Sequence, residues 1–581
     1  MKSSVTFEGM DCINDLMLPQ YAAAHKKSLA EIPWASNTKY GKYTVYFGIV
    51  VIFIAFVKHL WYLYRDYRYK NSKYRHQQNY GGSFVSVLLS YGRFVGYKQI
   101  PPVISWYTSL PPSVGKSLFL FVSALYLFCY SLVPHFWYRG CYGFGSPPLA
   151  IRSGIMATAL TPFIYVLLGK ANMITVLTGI SHEKLNTFHQ FVGVACLVLS
   201  LIHTIAFMYQ PYKEGGSLFL ALQFTSFSFY SGIAPLVLLI WLCVASKAFI
   251  RKKLYEIFLH MHWMVAIAYF ATLWVHIDNT LDMQDYMYGA LAFWGTQVLY
   301  RIFVKTCFKP NKMFMRGRPA KLTRLNENTF EVVIENLTGY SNWQPGQHVF
   351  LRFVGTHFLD NHPFSIASMN GQMKFIIVAK KGLTGVLHKQ LDDYVTKEKT
   401  VYIDGPYGGV ARDPLSFDRI ILLGTGSGVT ATLPFLLHVA NAVELKKVVV
   451  TTSISFIWVI RSTDDISWVK NELTHCKQIL GDMLDLSIYV AEQDLEKHLD
   501  SDLTKVISTL NIEYYKPSIV RLVKDLTPTL LTRNMIVSSG SDSMRRDVSS
   551  VVSNMQPLIF NNDYHQTGID EIFLHTEAFC W

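Results

Sequence analysis

The sequence predicts a chain in two unlike parts: a bundle of membrane-spanning helices through the first half, then a small β-barrel and a nucleotide-binding α/β domain. Three observations carry this. Apolar runs long enough to cross a bilayer concentrate before residue 306, in a 581-residue chain that is 51% hydrophobic and only 16% charged. Two of those runs, NTFHQFVGVACLVLSLIHT and HMHWMVAIAYFATLWVH, carry histidines at one shared spacing: His189 and His203 in the first, His262 and His276 in the second. From about residue 315 the pattern changes to short alternating strands broken by Gly and Pro, and after DGPYGG (404–409) to strands alternating with helices.

Residues 1–42 are mixed and polar, without the basic start and small-residue cleavage site of a secretory signal, so the first apolar span, about 43–64, is expected to remain as an anchor. It ends in RDYRYKNSKYR, whose excess of Lys and Arg places that end in the cytosol and the N-terminus outside. Further spans are expected at about 116–134, 150–169, 186–208, 229–247, 258–276 and 286–306, which makes a seven-span, multi-pass membrane protein. Alternation puts SKAFIRKK and RIFVKTCFKPNKMFMRGR inside and HIDNTLDMQDY, which has no Lys or Arg, outside. The formal charge of +13 therefore reports membrane topology, and no finger, RNA-binding or basic-helix motif points to nucleic acid. Eight scattered cysteines without a CxxC pair read as reduced packing residues, with no disulfide framework and no zinc or iron–sulfur site.

Each histidine pair is fourteen steps of about 100° apart, nearly four full helical turns, so both members share one face and sit roughly 21 Å apart along it. Ionisable groups are costly in lipid, and the repeat of one spacing in two spans points to a shared ligand. The two helices run in the same direction because one span lies between them. His189 then faces His262 at the inner level and His203 faces His276 at the outer level, four ligands for two haem irons. Iron held by two histidines has no open position and relays electrons. His260 falls about 200° round the helix from His262, and His182 belongs to the polar loop ISHEK, so neither is expected to ligate.

In the barrel, His362-Pro363-Phe364-Ser365 follows PGQHVFLRF, and Gly382-Leu383-Thr384-Gly385 opens a helix after a strand. An extended segment suits the isoalloxazine edge of a flavin, and the Gly/Thr turn suits its pyrophosphate. In RIILLGTGSGVTATLPFLLH a buried strand leads through Gly424, Gly426 and Gly428 with Thr430 into an apolar helix, as a dinucleotide phosphate requires. The next strand ends at Arg461 rather than at an acid, and Lys516 is a second cation, which favours NADPH over NADH. Gly540 and Ser541, in the loop Ser538–Met544, offer a second approach for nicotinamide, and Trp581 is a candidate either to cover the flavin or to pack in the core.

These motifs, in this order, resemble the ferric reductase and NADPH oxidase superfamily over about residues 116–581, and by the short N-terminus the yeast metalloreductase-like members. The resemblance implies a ferredoxin-reductase-like FAD β-barrel, an α/β NADP-binding domain, two b-type haems on His189, His203, His262 and His276, FAD on HPF[ST] and GxT, and NADPH on the GxGxG loop. It also assigns His362 and Trp581 to the catalytic centre and sets Arg152 beside the outer haem. Lys170 stands where the family has arginine, Ser539 replaces the cysteine of its C-G-P loop, and Tyr515-Lys516-Pro517 stands for Gly-Arg-Pro. The expected domains are 1–42, a non-cytosolic segment; 43–115, anchor and basic cytosolic loop; 116–306, six-helix haem domain; 315–412, FAD barrel; and 413–581, NADP domain. The implied activity passes electrons from cytosolic NADPH through FAD and two haems to ferric or cupric chelates, in the plasma membrane or endoplasmic reticulum. Oxygen, giving superoxide, is the alternative acceptor, and an inactive membrane interaction protein is the alternative of another class. On the outer face Asp278, Asp282 and Asp285 suit a metal acceptor, while Arg139, Arg152 and Lys213 offer charge to anionic chelates or a haem propionate.

Overall fold

The computed structural model describes residues 6–12, 15–30, 37–71, 84–108, 110–134, 136–213, 227–306, 317–335, 337, 343–356, 362–369, 371–380, 382–391, 395–492, 511–561 and 568–578. The chain forms two compact units, one from residues 1–57 with 119–299 and one from 58–118 with 300–581.

Helices Asn37–Asn71, Val114–Leu132, Pro148–Leu168, His182–Lys213, Phe227–Ala245, Tyr255–Ile277 and Gln284–Tyr300 fall on the expected spans. Five are long and apolar enough to cross a membrane, and Tyr230–Ala245 is a shorter apolar stretch. Pro148–Leu168 is the central helix of the first unit, with most of its residues buried, whereas Asn37–Asn71 leaves Ile49, Val50, Phe53 and Ile54 exposed. A helix apolar all round must meet either protein or lipid on each face, and these two take opposite shares. His182 is not in a loop: it opens the His182–Lys213 helix, two turns before His189.

The N-terminal segment corrects the reading of the cysteines. Strands β1 (Thr6–Phe7) and β2 (Met10–Asp11) and the Pro19–Leu29 helix pack Met10, Tyr21 and Phe144 into a small core, and inside it Cys12 and Cys141 form a disulfide. Their separation of 129 residues is why no local motif announced the bond. Cys129, Cys196, Cys243 and Cys476 are free.

The second unit holds two six-stranded sheets. Strands β3 (Arg318–Asn326), β4 (Thr329–Ile334), β5 (Gln347–Phe353), β6 (His362–Ser365), β7 (Met373–Val378) and β8 (Thr396–Gly408) pair antiparallel in the order β6-β5-β8-β3-β4-β7. The sheet curls so that its outer strands approach: just past β6, the Ala367 N–H donates to the Lys374 carbonyl of β7 at 2.8 Å. Phe330, Val332, Val349, Leu351 and Phe375 fill the inside, from the alternate positions that face one side of each strand. Strands β9 (Arg419–Thr425), β10 (Ser453–Ile460), β11 (Leu484–Val490), β12 (Asn511–Glu513), β13 (Arg533–Gly540) and β14 (Glu571–Ala578) are all parallel, ordered β12-β11-β10-β9-β13-β14. The order reverses between β9 and β13, and in such sheets ligands bind outside the carboxyl ends of the strands at that point.

Residues 58–118, which take in most of the stretch 43–115 expected as an anchor and basic cytosolic loop, are part of this unit. Tyr97 accepts from the Leu574 N–H at 3.1 Å, and Tyr91 stacks on Phe560 with ring centres 4.0 Å apart. Asp66 is gripped by Arg412, through two bonds of 2.6 Å, and by Arg533 at 2.5 Å. Both arginines also bond Glu571, which Arg93 reaches as well. Burial alone would raise the Glu571 carboxyl, but Arg412, Arg65, Arg93 and Arg533 hold it well below the usual range.

Candidate active site

The structure brings the four histidines together in two facing pairs. Ring centres lie 6.4 Å apart for His189 and His262, and 6.2 Å apart for His203 and His276. One metal between two imidazoles needs a bond of about 2 Å on each side and about 1.2 Å more from each nitrogen to its ring centre, roughly 6.4 Å in all. The second nitrogen of each ring is held by a neighbour. His189 Nδ1 bonds the Ile164 carbonyl at 3.0 Å and His203 Nδ1 the Ala150 carbonyl at 2.8 Å. A carbonyl only accepts, so both Nδ1 atoms carry the proton and the lone pair resides on Nε2. His262 Nδ1 lies 3.3 Å from Ser246 Oγ, whose own proton goes to the Leu242 carbonyl at 2.6 Å, which sets the same tautomer. His276 Nδ1 meets Ser231 Oγ at 3.1 Å. Rings oriented through Nδ1 by carbonyls and hydroxyls, presenting Nε2, fit a metal-bound role.

Sequence reasoning missed the residues that make room for these rings. A Cβ on Gly154 would stand 2.5 Å from His203 Nδ1, and one on Gly232 would stand 2.8 Å from His276 Cε1, so each ring occupies the space of a missing side chain. It also missed the middle of the two helices. Cys196 lies seven residues from His189 and from His203, Tyr269 seven from His262 and from His276, and the two side chains meet between the histidine levels with Sγ and OH 3.6 Å apart, both buried. The count that found the histidines, halved, finds this pair.

Arg152 is fully buried and donates to the carbonyls of Ser131 at 2.6 Å, Phe136 at 2.8 Å and Pro134 at 2.9 Å. Arg139 is buried and bonded to Ser28. Neither is the surface cation expected to draw in anionic chelates, because both guanidinium groups are buried. Asp278, Asp282 and Asp285 are exposed, the first two in a turn where Asp278, Asn279, Leu281 and Asp282 have positive φ and the third in the first turn of the Gln284–Tyr300 helix.

In the antiparallel sheet, His362, Pro363, Phe364 and Ser365 form the edge strand β6, half-buried, paired with Leu351 to His348 of β5. Gly382, with φ +87°, precedes the Leu383–Lys389 helix, and Thr384 Oγ1 accepts from the Lys380 N–H at 2.9 Å, pinning that turn. Trp581 lies outside the described residues. In the parallel sheet, the Gly424–Gly428 turn and the Ser539–Gly540 turn abut at the carboxyl ends of β9 and β13. A Cβ on Gly428 would stand 2.2 Å from the Ser539 carbonyl oxygen, so this contact admits only glycine. The Thr430 hydroxyl donates to the Ser427 carbonyl at 2.9 Å, and Ser541 caps the Asp542–Met555 helix by accepting from Met544. Arg461 is 80% exposed at the end of β10 and bonds Glu492, at the end of β11, at 2.6 Å. The sequence pointed to the arginine but not to the acid beside it, which only the pairing of β10 with β11 reveals. Lys516 is exposed beyond β12.

Three family descriptions match the chain in order: "Ferric reductase like transmembrane component" over residues 153–273, "FAD-binding domain" over 314–411 and "Ferric reductase NAD binding domain" over 417–569. Ferric/cupric reductase transmembrane component 7 of Saccharomyces cerevisiae is 32% identical over 629 aligned residues, covering 99% of this chain and 98% of the relative. The chain belongs to the ferric reductase family. Other relatives are less complete. Probable cell surface ferric reductase kap2 of Aspergillus oryzae is 32% identical over 67% of this chain and 54% of its own, and ferric reductase transmembrane component 6 of Saccharomyces cerevisiae is 24% identical over 70% and 58%. This ferric reductase family member is thus an oxidoreductase with a helical membrane unit followed by FAD-binding and NAD-binding domains.

Proposed function

We propose that this protein carries electrons across the bilayer, from cytosolic NADPH through FAD and two b-type haems to a ferric or cupric acceptor on the far side. The observation that carries the reading is the two facing histidine pairs, spaced for one metal each and oriented through Nδ1. Haem iron between two imidazoles exchanges single electrons with no coordination position left open, and FAD divides the electron pair of a hydride, so together these groups adapt a two-electron donor to one-electron acceptors. The chain's own residues do the holding. His189 with His262 and His203 with His276 would hold the two haem irons, and Ile164, Ala150, Ser246 and Ser231 fix their rings. His362–Ser365 would bond the flavin edge, and Gly382 and Thr384 its pyrophosphate. Gly424, Gly426, Gly428 and Thr430 receive the nucleotide phosphates, Gly540 and Ser541 the nicotinamide end, and Arg461 the 2′-phosphate.

The sidedness draws support from two features. One apolar helix lies between Cys12 and residues 58–118, and one between that stretch and Cys141, so by span parity Cys12 and Cys141 share the non-cytosolic side of the bilayer, where an oxidising environment keeps their disulfide. Counted as spans, the long helices Val114–Leu132, Pro148–Leu168, His182–Lys213, Phe227–Ala245, Tyr255–Ile277 and Gln284–Tyr300 are six among the described residues, an even number that returns the chain to the cytosol and makes seven with Asn37–Asn71. The metal acceptor draws support from the relatives, which are named ferric or ferric/cupric reductases, and from the exposed Asp278, Asp282 and Asp285, whose hard oxygens suit a cation.

The test is His203→Ala in the purified, reconstituted protein. The reduced-minus-oxidised spectrum should lose one of two haems, and transmembrane reduction of a ferric chelate under strict anaerobiosis should stop while flavin content stays. Full haem content in single replacements at all four histidines would refute the ligation. Reduction that requires oxygen and is abolished by superoxide dismutase would make the enzyme an oxidase.

A further inference from the structure

The stretch between the first two spans shows an apolar surface that the electron-transfer reading does not use. The Phe84–Tyr97 helix is amphipathic in the reverse sense for a water-facing element: Ser86, Ser90 and Arg93, spaced four and three apart, are buried, while Phe84 and Leu88 are 79% and 59% exposed. On the buried side Arg93 reaches Glu571, and the Ser553 hydroxyl donates to the Phe94 carbonyl at 2.6 Å, so the helix is docked on the nucleotide-binding sheet.

After Tyr97 the chain forms a finger that closes on itself. The Ile100 N–H donates to the Pro112 carbonyl at 2.7 Å, the Val114 N–H to the Lys98 carbonyl at 2.9 Å, and Ser113 Oγ to the Gly96 carbonyl at 2.7 Å. Between those clasps the Pro102–Thr108 helix leaves Trp106 and Tyr107 at 73% and 82% exposed, with Val103, Ile104 and Leu110 also exposed. A protein surface in water does not gather five such residues within nine positions without a partner.

Three features point to lipid as that partner. The finger ends where Val114–Leu132 begins, one of the helices long and apolar enough to cross a membrane, and Leu118, Phe121, Val122, Leu125 and Phe128 on that helix are exposed as well. With at most about 3.6 Å of chain per residue, and the clasp at Lys98 and Val114, the finger cannot leave the membrane surface. Trp and Tyr are the side chains that favour the headgroup level, an apolar body with one polar tip. Residues 67–118 contain seven Lys and Arg and no Asp or Glu; with Arg93 held by Glu571 and Lys70 by Asp413, the remaining five still give the stretch a positive charge that suits an anionic leaflet.

We propose that the Pro102–Leu110 finger is a membrane-interface anchor, with Val103, Ile104, Trp106, Tyr107 and Leu110 seated among the lipid headgroups and upper acyl chains. Through the docked Phe84–Tyr97 helix it ties the nucleotide-binding unit to the lipid surface. The experiment uses the full chain in nanodiscs of phosphatidylcholine with phosphatidylserine, carrying an environment-sensitive fluorophore on Tyr107→Cys, on Val103→Cys, or on Leu445→Cys, an exposed position after the Val429–Glu444 helix; parent-chain labelling is subtracted. At 107 and 103, quenching by a lipid carrying a nitroxide near its headgroup should exceed that at 445 by at least about threefold, with quenching by aqueous iodide reduced to match. Iodide quenching at 107 and 103 equal to that at 445 would overturn the anchor. So would protection from both quenchers, which would mean that protein, a second copy or another chain, covers the finger.

Discussion

Gly154→Ala is expected to empty the outer haem position without touching a ligand. The added methyl would stand 2.5 Å from His203 Nδ1 and 2.9 Å from Cε1, whereas ordinary contact begins at 3.4 Å. The ring must therefore retreat by about 0.9 Å, well beyond the roughly 0.2 Å that a metal–ligand distance tolerates. Retreat also strains the 2.8 Å bond to the Ala150 carbonyl that fixes the ring's tautomer, and loss of such an orienting partner costs about 10- to 100-fold in metal affinity. Haem per flavin, measured as the pyridine complex, should fall by half, and transmembrane reduction at least about tenfold, while NADPH still reduces the flavin. Gly232→Ala crowds His276 from 2.8 Å and should remove the same haem. Gly295→Ala, whose Cβ meets nothing within 4 Å, should keep both. Two haems with an unchanged spectrum in Gly154→Ala would refute the reasoning.

Glu571→Gln removes the carboxylate on which buried arginines converge and should destabilise the second unit by about 3–5 kcal/mol, read as a lower temperature of flavin release; an unchanged temperature would show that Asp66 alone suffices. Because the Glu571 value is held below the ordinary 4.5, its stabilisation is complete above that pH and is lost only as pH falls through the lowered value, so titrating the wild type from pH 7 to 5 should not loosen this cluster. Arg461→Ala should raise KM about tenfold for NADPH and little for NADH, and Glu492→Gln, by releasing the arginine from its exposed ion pair, should lower KM for NADPH; equal effects on both nucleotides would remove Arg461 from the 2′-phosphate.

What the sequence by itself determined is what repeats locally. Helical periodicity put His189 with His203 and His262 with His276 on single faces, the single span between them set those two helices running in the same direction, and the glycine turn after a buried strand marked the carboxyl end of the central strand of the parallel sheet. The periodicity and the glycine turn each reside within a short stretch of chain, and the helix direction needs only the count of spans between, so these signals survive whatever the rest of the fold does. Tertiary structure alone decided the partners: Cys12 with Cys141, Asp66 with Arg412 and Arg533, Arg461 with Glu492, and the glycines that yield their space to His203 and His276. Asp66 shows why. In sequence it is one acid among the Arg and Lys of a span's end, and reads as part of a solvated, topology-setting charge run. Buried between arginines about 350 and 470 positions away, it becomes the group without which their charges would be uncompensated, and nothing in RDYRYK records which distant strands fold back to meet it.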